Sequence, residues 1–391
     1  MYDIGEEEIQ AVARVIRSRQ LSRYRGGEQG ECTNLEKDLR ERFGCEYALV
    51  VNSGTSALIC SLVACDIGPG DEVIVPAFTF MATAMAVLAV GAVPVIAEID
   101  NTLTLDPEDA EQKITSRTKA IIPVHMHGLP CAMDKFMALS AKYGIRIIED
   151  SCQSVGGSCF GRPLGAIGDI GALSFNQFKI ITAGEGGAIV TNHRELYEKA
   201  LIQHDGGCMF RQHAPRLSVP IFTGANYRVS EITGAILRVQ LSRLDVLLHK
   251  LRERKRAVVE ILEGSSAHDL APVHCVEGDC GQVTALQVDD EERARRLLNR
   301  LLARGIMAGI PVESTGHVYA DWKPVMQQRA SNHPGLNAYN LTDMKYEYKT
   351  GMCPRTLALL SRTIGLPTDI NESVDQARTR AQRIRRISEE L

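Results

Sequence analysis

Neither sign of charge dominates this 391-residue chain: Lys and Arg number 44, Asp and Glu 48, for a net charge of −4. Recruitment to nucleic acid or to an anionic membrane by bulk charge is therefore not expected. No apolar run suits a bilayer span. The longest, around Met81–Ile96, is short and carries a glycine and a proline. Internal repeats and low-complexity blocks are absent, which excludes solenoids and disordered linkers. The 11 cysteines lack the spacing of metal-binding pairs. No metal site is expected, and the thiols read as reduced, small buried hydrophobes of a cytoplasmic protein. The opening residues, MYDIGEEEIQ, are acidic and amphipathic, unlike a secretory or transit peptide. The basic stretch Arg378–Arg386 has interleaved apolar residues and reads as the polar face of a last helix.

What is present is ordinary globular composition, 45% hydrophobic and 24% charged. The length suits a large domain, placed at 1–245 with an N-terminal helical arm, and a smaller α+β domain at 246–391. Seven short apolar runs fill the first part: Tyr47–Val51, Glu72–Pro76, Val93–Ile99, Ala120–Met126, Arg146–Asp150, Gly171–Phe175 and Gly187–Asn192. Helical segments such as Thr55–Cys65, Thr79–Val90 and Pro130–Lys142 separate the first five. Strand and helix alternating at this spacing predict an α/β fold with a mostly parallel sheet covered on both faces. A helical section from Ser230 to about Leu262 reads as the bridge to the C-terminal domain. That domain has a strand at Thr284–Val288 and a helix from Glu291 to Arg304. Asp321–Thr350 lacks periodicity and reads as an extended surface segment.

Ligands of open parallel sheets bind beyond the carboxyl ends of the strands. After the first run comes Asn52-Ser53-Gly54-Thr55-Ser56-Ala57-Leu58, a hydroxyl-rich glycine turn opening a helix. Free N–H groups and hydroxyls there suit a phosphate, and an ordinary helix cap by Ser53 or Thr55 is the plain alternative. The fifth run ends at Asp150. A carboxylate there needs a cation, such as a protonated pyridine nitrogen, or else caps the next helix. After the sixth run, Lys179 lies between an apolar strand and a glycine-rich turn, flanked by Phe178, Ile180 and Ile181. Its amine suits a Schiff base with an aldehyde cofactor, against the reading of a solvated surface lysine. Phosphate cup, strand-end aspartate and lysine together form the minimal set for pyridoxal 5′-phosphate (PLP): anchor, electronic tuner and covalent attachment.

With those residues in view, the chain resembles the DegT/DnrJ/EryC1/StrS family of sugar aminotransferases, fold-type I PLP enzymes with a seven-stranded sheet. The resemblance runs from about residue 5 to about residue 370. It rests on NSGTSAL (Asn52–Leu58), PAFTFMATA (Pro76–Ala84), EDSCQSVGG (Glu149–Gly157), SFNQFKIITAGEGGAIVTN (Ser174–Asn192) and GANYRVSEITGAILRVQLSRLD (Gly224–Asp245). It implies that Lys179 binds the cofactor and shuttles protons, and that Asp150 meets the ring nitrogen. It further implies that Phe80 stacks on the ring, that Gln153 contacts the ring or its phenolic oxygen, and that Gly54, Thr55, Ser56 and Ser174 cradle the phosphate. Asn226 is implied to reach the phosphate of a neighbouring subunit, in a homodimer with shared sites.

AEIDNTLTLDPEDAE (Ala97–Glu111), VHMHG (Val124–Gly128) and Ser361–Thr363 are similar to the branch that aminates an eight-carbon keto-sugar acid. The chain departs from that branch at Arg23-Tyr24-Arg25-Gly26-Gly27 and at Gly316-His317-Val318-Tyr319, where the family contacts substrate. Arg23, Tyr24, Arg25, His317 and Tyr319 are therefore candidate acceptor contacts. The first three read equally as a phosphate- or carboxylate-binding loop or as a solvated basic loop. The resemblance implies transfer of an amino group from glutamate or glutamine to a keto- or aldehydo-sugar, free or nucleotide-linked. Two alternatives stand beside it: a PLP-dependent sugar dehydratase or epimerase, and a non-catalytic partner protein of the same fold.

Overall fold

The computed structural model describes residues 4–391; Met1–Asp3, the start of the domain placed at 1–245, lie outside the described residues. Each of the seven apolar runs overlaps a strand of one sheet: β1 Tyr47–Val51, β2 Glu72–Pro76, β3 Val93–Ala97, β4 Thr118–Ile121, β5 Arg146–Asp150, β8 Ile170–Ser174 and β9 Gly187–Thr191. A small hairpin, β6 Ser158–Cys159 and β7 Arg162–Pro163, interrupts the series. The order is β1-β9-β8-β5-β4-β2-β3. Only β9 runs against its neighbours, and the other pairings are parallel. Four of the apolar runs outlast their strands, most of all those of β3 and β4, where residues 98–99 and 122–126 continue past the strand.

The strands are apolar on both sides because both sides are covered. Leu49 and Val51 pack into a core cluster with Ala57, Leu58 and Leu62 of the helix Gly54–Ala64. Ala48 and Val50, one residue out of phase, pack instead with Leu35 and Leu39 of the helix Glu31–Phe43. Each such fully buried Leu stabilises the fold by about 1.5–3 kcal/mol relative to exposure.

The expected helical section after Ser230 is two helices, Glu231–Ser242 and Leu244–Leu262, joined at Arg243. The N-terminal helix Glu6–Ser18 lies on the first of them through Ala11, Val15 and Ala235. The second helix is shared between two cores. Leu244, Leu247, Leu248 and Leu251 pack with the large sheet, while Val258 and Leu262 pack with the C-terminal elements. The boundary placed between residues 245 and 246 thus falls within this helix. Beyond it, β10 Asp269–Leu270, β11 Val283–Gln287 and β12 Thr363–Pro367 form an antiparallel sheet. Helices Glu291–Leu302 and Val374–Glu389 contribute Leu297, Leu301, Ala381 and Ile384 to the same core. Arginines of the last helix pair with acids, Arg378 with Glu260 and Arg380 with Glu372.

Two expectations are corrected, the first in part. The segment 321–350 does run over the surface, with most of its residues exposed, but it is also anchored in the core. Trp322 and Tyr339 are buried in the main cluster, Tyr346 donates to Glu72 (2.8 Å) and Tyr348 to the Pro94 carbonyl (2.7 Å). It seals β2 and β3 through separate aromatic side chains with polar tips, a mode that leaves no periodicity. The cysteines are not all reduced either: Cys159 and Cys275 form a disulfide across 116 residues, and nine thiols stay free. The partners meet only through tertiary folding, so their spacing carried no signal. No helix among the described residues is long and apolar enough to cross a membrane.

Candidate active site

A cavity of about 480 Å³ lies at the carboxyl ends of β1, β5 and β8. Ser53 and the helix Gly54–Ala64 form its floor. Ser53 Oγ accepts from the Ser56 N–H at 3.1 Å, capping the helix. Gly54 has to be glycine, since a Cβ would sit 2.8 Å from both Cys152 Sγ and Ser174 Cβ. Thr55 and Ser174 line the cavity. Ser56 does not: its hydroxyl donates to Asn52 Oδ1 at 2.6 Å, and Ser53 lines the wall in its place.

Asp150 ends β5 and is 5% exposed. One carboxylate oxygen accepts from Thr83 Oγ1 at 2.8 Å and the other from the Cys152 N–H at 3.1 Å. No helix comes directly after it, so the second bond closes a turn rather than capping a helix. Burial pushes the neighbouring Cys152 thiol well above its ordinary range, aided by the charge of Asp150.

Lys179 sits in the turn between β8 and β9, half-buried, its N–H donating to the Asn176 carbonyl (2.9 Å). Ile180 and Ile181 are buried beside it, but Phe178 is 73% exposed and leaves that flank open. Among the described residues no carboxylate holds its ammonium in an ion pair. The turn is braced by Asn176, whose amide donates to Glu185 at 3.1 Å, and both residues line the cavity.

The rim comes from far along the chain. Phe80, 46% exposed, lies 5.4 Å from the His317 ring, centroid to centroid. Backbone bonds from Thr79 N–H to the His317 carbonyl (2.9 Å) and from Met81 N–H to Gly316 (2.8 Å) tie the two segments. His317 is pushed below the ordinary histidine range by burial and then by the charge of Lys179. Nearby His127 is lowered to about 4, by burial first and then by His317 and Lys179. Gln153 lines the cavity, its Oε1 accepting from the His127 N–H at 3.0 Å.

The other candidates stand elsewhere. Arg23 is corrected as a substrate contact: its guanidinium is 3% exposed and bonds Glu36 (2.6 Å) and Thr33 (3.1 Å). Tyr24 bonds His204 Nε2 at 3.0 Å, beneath the Arg23 guanidinium. Arg25 is exposed and outside the cavity. Tyr319 is likewise corrected, being a core residue whose hydroxyl donates to the Thr350 carbonyl and accepts from the Cys353 N–H. Asn226 is exposed and outside the protomer's own cavity. Reading the strand ends missed Ser53, Thr83, Cys152, Asn176 and Glu185. Thr83 had a signal, three positions after Phe80 where a helix begins.

A mixed sheet of this order, with strand-end acid, glycine cup and unpaired lysine around one cavity, defines a fold-type I PLP-dependent transferase. The DegT/DnrJ/EryC1/StrS aminotransferase family model matches residues 2–380, and the chain belongs to that family. UDP-N-acetyl-3-dehydro-alpha-D-glucosamine 3-aminotransferase of Acidithiobacillus ferrooxidans is 43% identical over 220 residues, 56% of this chain and 58% of that enzyme. The matched part thus spans little more than half of that relative's length. GDP-perosamine synthase of Escherichia coli O157:H7 is 34% identical over 306 residues, 77% of this chain and 80% of the other. The crystal structure of 3-amino-5-hydroxybenzoic acid synthase superposes with a TM-score of 0.81 at 28% identity, covering 100% of this chain and 98% of that one. PLP is the cofactor of the family. The cavity fits it: hydroxyls at a helix N-terminus for a phosphate, a site where only glycine leaves room, and a carboxylate and an amine to meet a ring.

Proposed function

We propose that this protein moves an amino group from an amino acid, glutamate or glutamine, onto the keto group of a nucleotide-linked sugar. One observation carries the reading: Asp150, Lys179 and the Gly54 helix terminus, distant in sequence, line the same cavity. When bound, PLP supplies an aldehyde that links to amines and a ring that accepts electrons. Ser53, Thr55, Ser174 and the helix N–H groups hold the phosphate. Asp150, kept in direction by Thr83 and the Cys152 N–H, holds the ring nitrogen's proton. Phe80, which lines the cavity, would cover one face of the ring. Lys179 Nζ would be the attachment point for the cofactor's aldehyde and, once the donor's amine has displaced it, would take the proton from the donor's α-carbon and deliver one to the acceptor carbon. Asn226, exposed in the protomer, reaches the cavity of the neighbouring subunit in a dimer.

The relatives' own names, a UDP-sugar aminotransferase and a GDP-sugar synthase, favour a nucleotide-linked acceptor. The resemblance to enzymes of an eight-carbon keto acid rests on residues 97–111, 124–128 and 361–363. In the first, Glu98 accepts from the Thr356 hydroxyl and N–H, and Leu103 and Leu105 are buried. Of the three segments only Val124 lines the cavity. The test is borohydride reduction of PLP-loaded protein and then peptide mapping, after which a panel of keto-sugars is offered to the aminated enzyme. Label on the Lys179 peptide and turnover of a nucleotide-linked keto-sugar are expected. Label elsewhere, or none, overturns the proposal.

A further inference from the structure

Behind the cavity, one residue before Asp150 and so on the other face of β5, lies a polar pair that the proposed chemistry does not use. Glu149 and His125 are both 0% exposed. Glu149 Oε1 accepts from the N–H groups of Ile167 and Gly168, each at 2.6 Å. Its Oε2 meets the Gly165 N–H at 2.8 Å and His125 Nε2 at 3.1 Å. The four donors fill the carboxylate's roughly four acceptor positions. His125 Nδ1 lies 3.0 Å from the Cys131 N–H. A backbone N–H only donates, so the ring carries its hydrogen on Nε2 and directs it at Glu149. A buried carboxylate–imidazole pair is weak evidence of stabilisation, because apolar residues of equal volume often do as well. The contacts that the pair holds in place explain it better.

The His125 N–H donates to the Asp150 carbonyl (3.1 Å), and the Asp150 N–H to Pro123 (3.0 Å). The chain past β4 thereby completes the ladder of β5 at the cavity. Two residues on, His127 takes a left-handed φ of 56° and donates its N–H to Gln153 Oε1. With that oxygen engaged, the Gln153 amide nitrogen is the group left for the cavity. At Gly128 a Cβ would meet Gln282 Nε2 at 2.5 Å, and that same Nε2 donates to the Gln153 carbonyl at 2.6 Å. Gln153 is held from both ends: its side chain by the 125–128 turn, and its carbonyl by the Gln282 amide that lies against Gly128.

We infer that His125 is a positioning residue: through Glu149 it fixes the 125–128 turn, which sets the Gln153 amide with its N–H donors toward the cofactor. The inference rests on the PLP reading. A donor beside the cofactor's ring oxygen favours the ionised oxygen, so a turned amide moves the pH midpoint of the cofactor's visible absorbance upward.

The experiment titrates that absorbance in full-length, PLP-loaded protein. His125→Phe, similar in size but without hydrogen bonds, is expected to raise the midpoint by about 1 pH unit. Gln153→Ala is expected to raise it equally, and the double variant no further. His125→Gln, which keeps a donor for Glu149, restores the wild-type midpoint. His125→Asn, which keeps the Cys131 contact alone, shifts it as Phe does and serves where the Phe variant fails to fold. The other titratable groups around the cavity, Asp150, Cys152, Lys179, Glu185, His317 and nearby His127, are unchanged in every variant. A His125 variant that only lowers thermal stability while the midpoint stays at wild type overturns the inference, as do additive shifts in the double variant. Wild-type protein that shows no visible band with added PLP overturns the functional proposal instead.

Discussion

The floor of the cavity and its rim are built on opposite plans. The floor is made of strand ends and a helix terminus within one sheet, and Asp150 and Ser174 there are almost wholly buried. The rim joins Phe80 to His317 across more than 200 residues, and its side chains are open or half-open. Rigid backbone geometry sets the first, so small changes there should disturb reacting groups. Loop contacts set the second, and loops tolerate change and adapt to different ligands. A family that treats many acceptors alike at the reacting carbon is served by that division.

The sharpest way to break this contrast is at Lys179. Lys179→Ala is expected to cut amine transfer by roughly 10³-fold or more and to abolish borohydride labelling of its peptide. Asp150→Asn should come next, with kcat lower by roughly 10²-fold while PLP still binds, as read by steady-state kinetics and dialysis. If either behaves like a rim variant, the floor is not where the chemistry lies.

Acid offers a third test. Burial lowers both His127 and His204 to about 4. The unfolded chain takes up these protons near pH 6.5, the folded one only near pH 4, so acid between those values favours unfolding. Their contribution is complete above about pH 6.5 and is lost as pH falls toward 4. For fully buried His204 it is on the order of 3 kcal/mol. Unfolding by urea across that range should show the loss, and His204→Gln should flatten it.

Thr83→Val removes one hydrogen bond to Asp150, worth about 0.5–1.5 kcal/mol, and should lower kcat by roughly 2–10-fold with KM near wild type. Phe80→Leu, at the rim, should change KM for the acceptor by a factor of about 2–5 and leave the melting temperature unchanged. A larger loss from Phe80→Leu than from Thr83→Val would erase the distinction between floor and rim.

The same division marks what the amino-acid order could reveal. Strands covered on both faces are written as unbroken apolar runs, so all seven were legible, and the residues beyond them mark one end of a parallel sheet. That logic brought Asp150, Gly54 and Lys179 to one place. It could not choose between Ser53 and Ser56, because a cap and its neighbour look alike until Asn52 claims one hydroxyl. Nor could it find the seal made by Tyr346 and Tyr348, or the Cys159–Cys275 bridge. Those contacts join single side chains across long separations and leave no local pattern. Arg23 misled for a related reason: an arginine in a short basic loop gives no sign of Glu36 waiting thirteen residues on.

The helix Leu244–Leu262 has a mechanical consequence. At 19 residues it is about 28 Å long, with one half embedded in each of two hydrophobic assemblies. Melting either assembly strips an end of this rod of its packing, so heat should take both apart in a single cooperative step. Any swing of the C-terminal sheet must pivot beyond the half of the helix that packs with Ile180 and Ile181 beside the lysine.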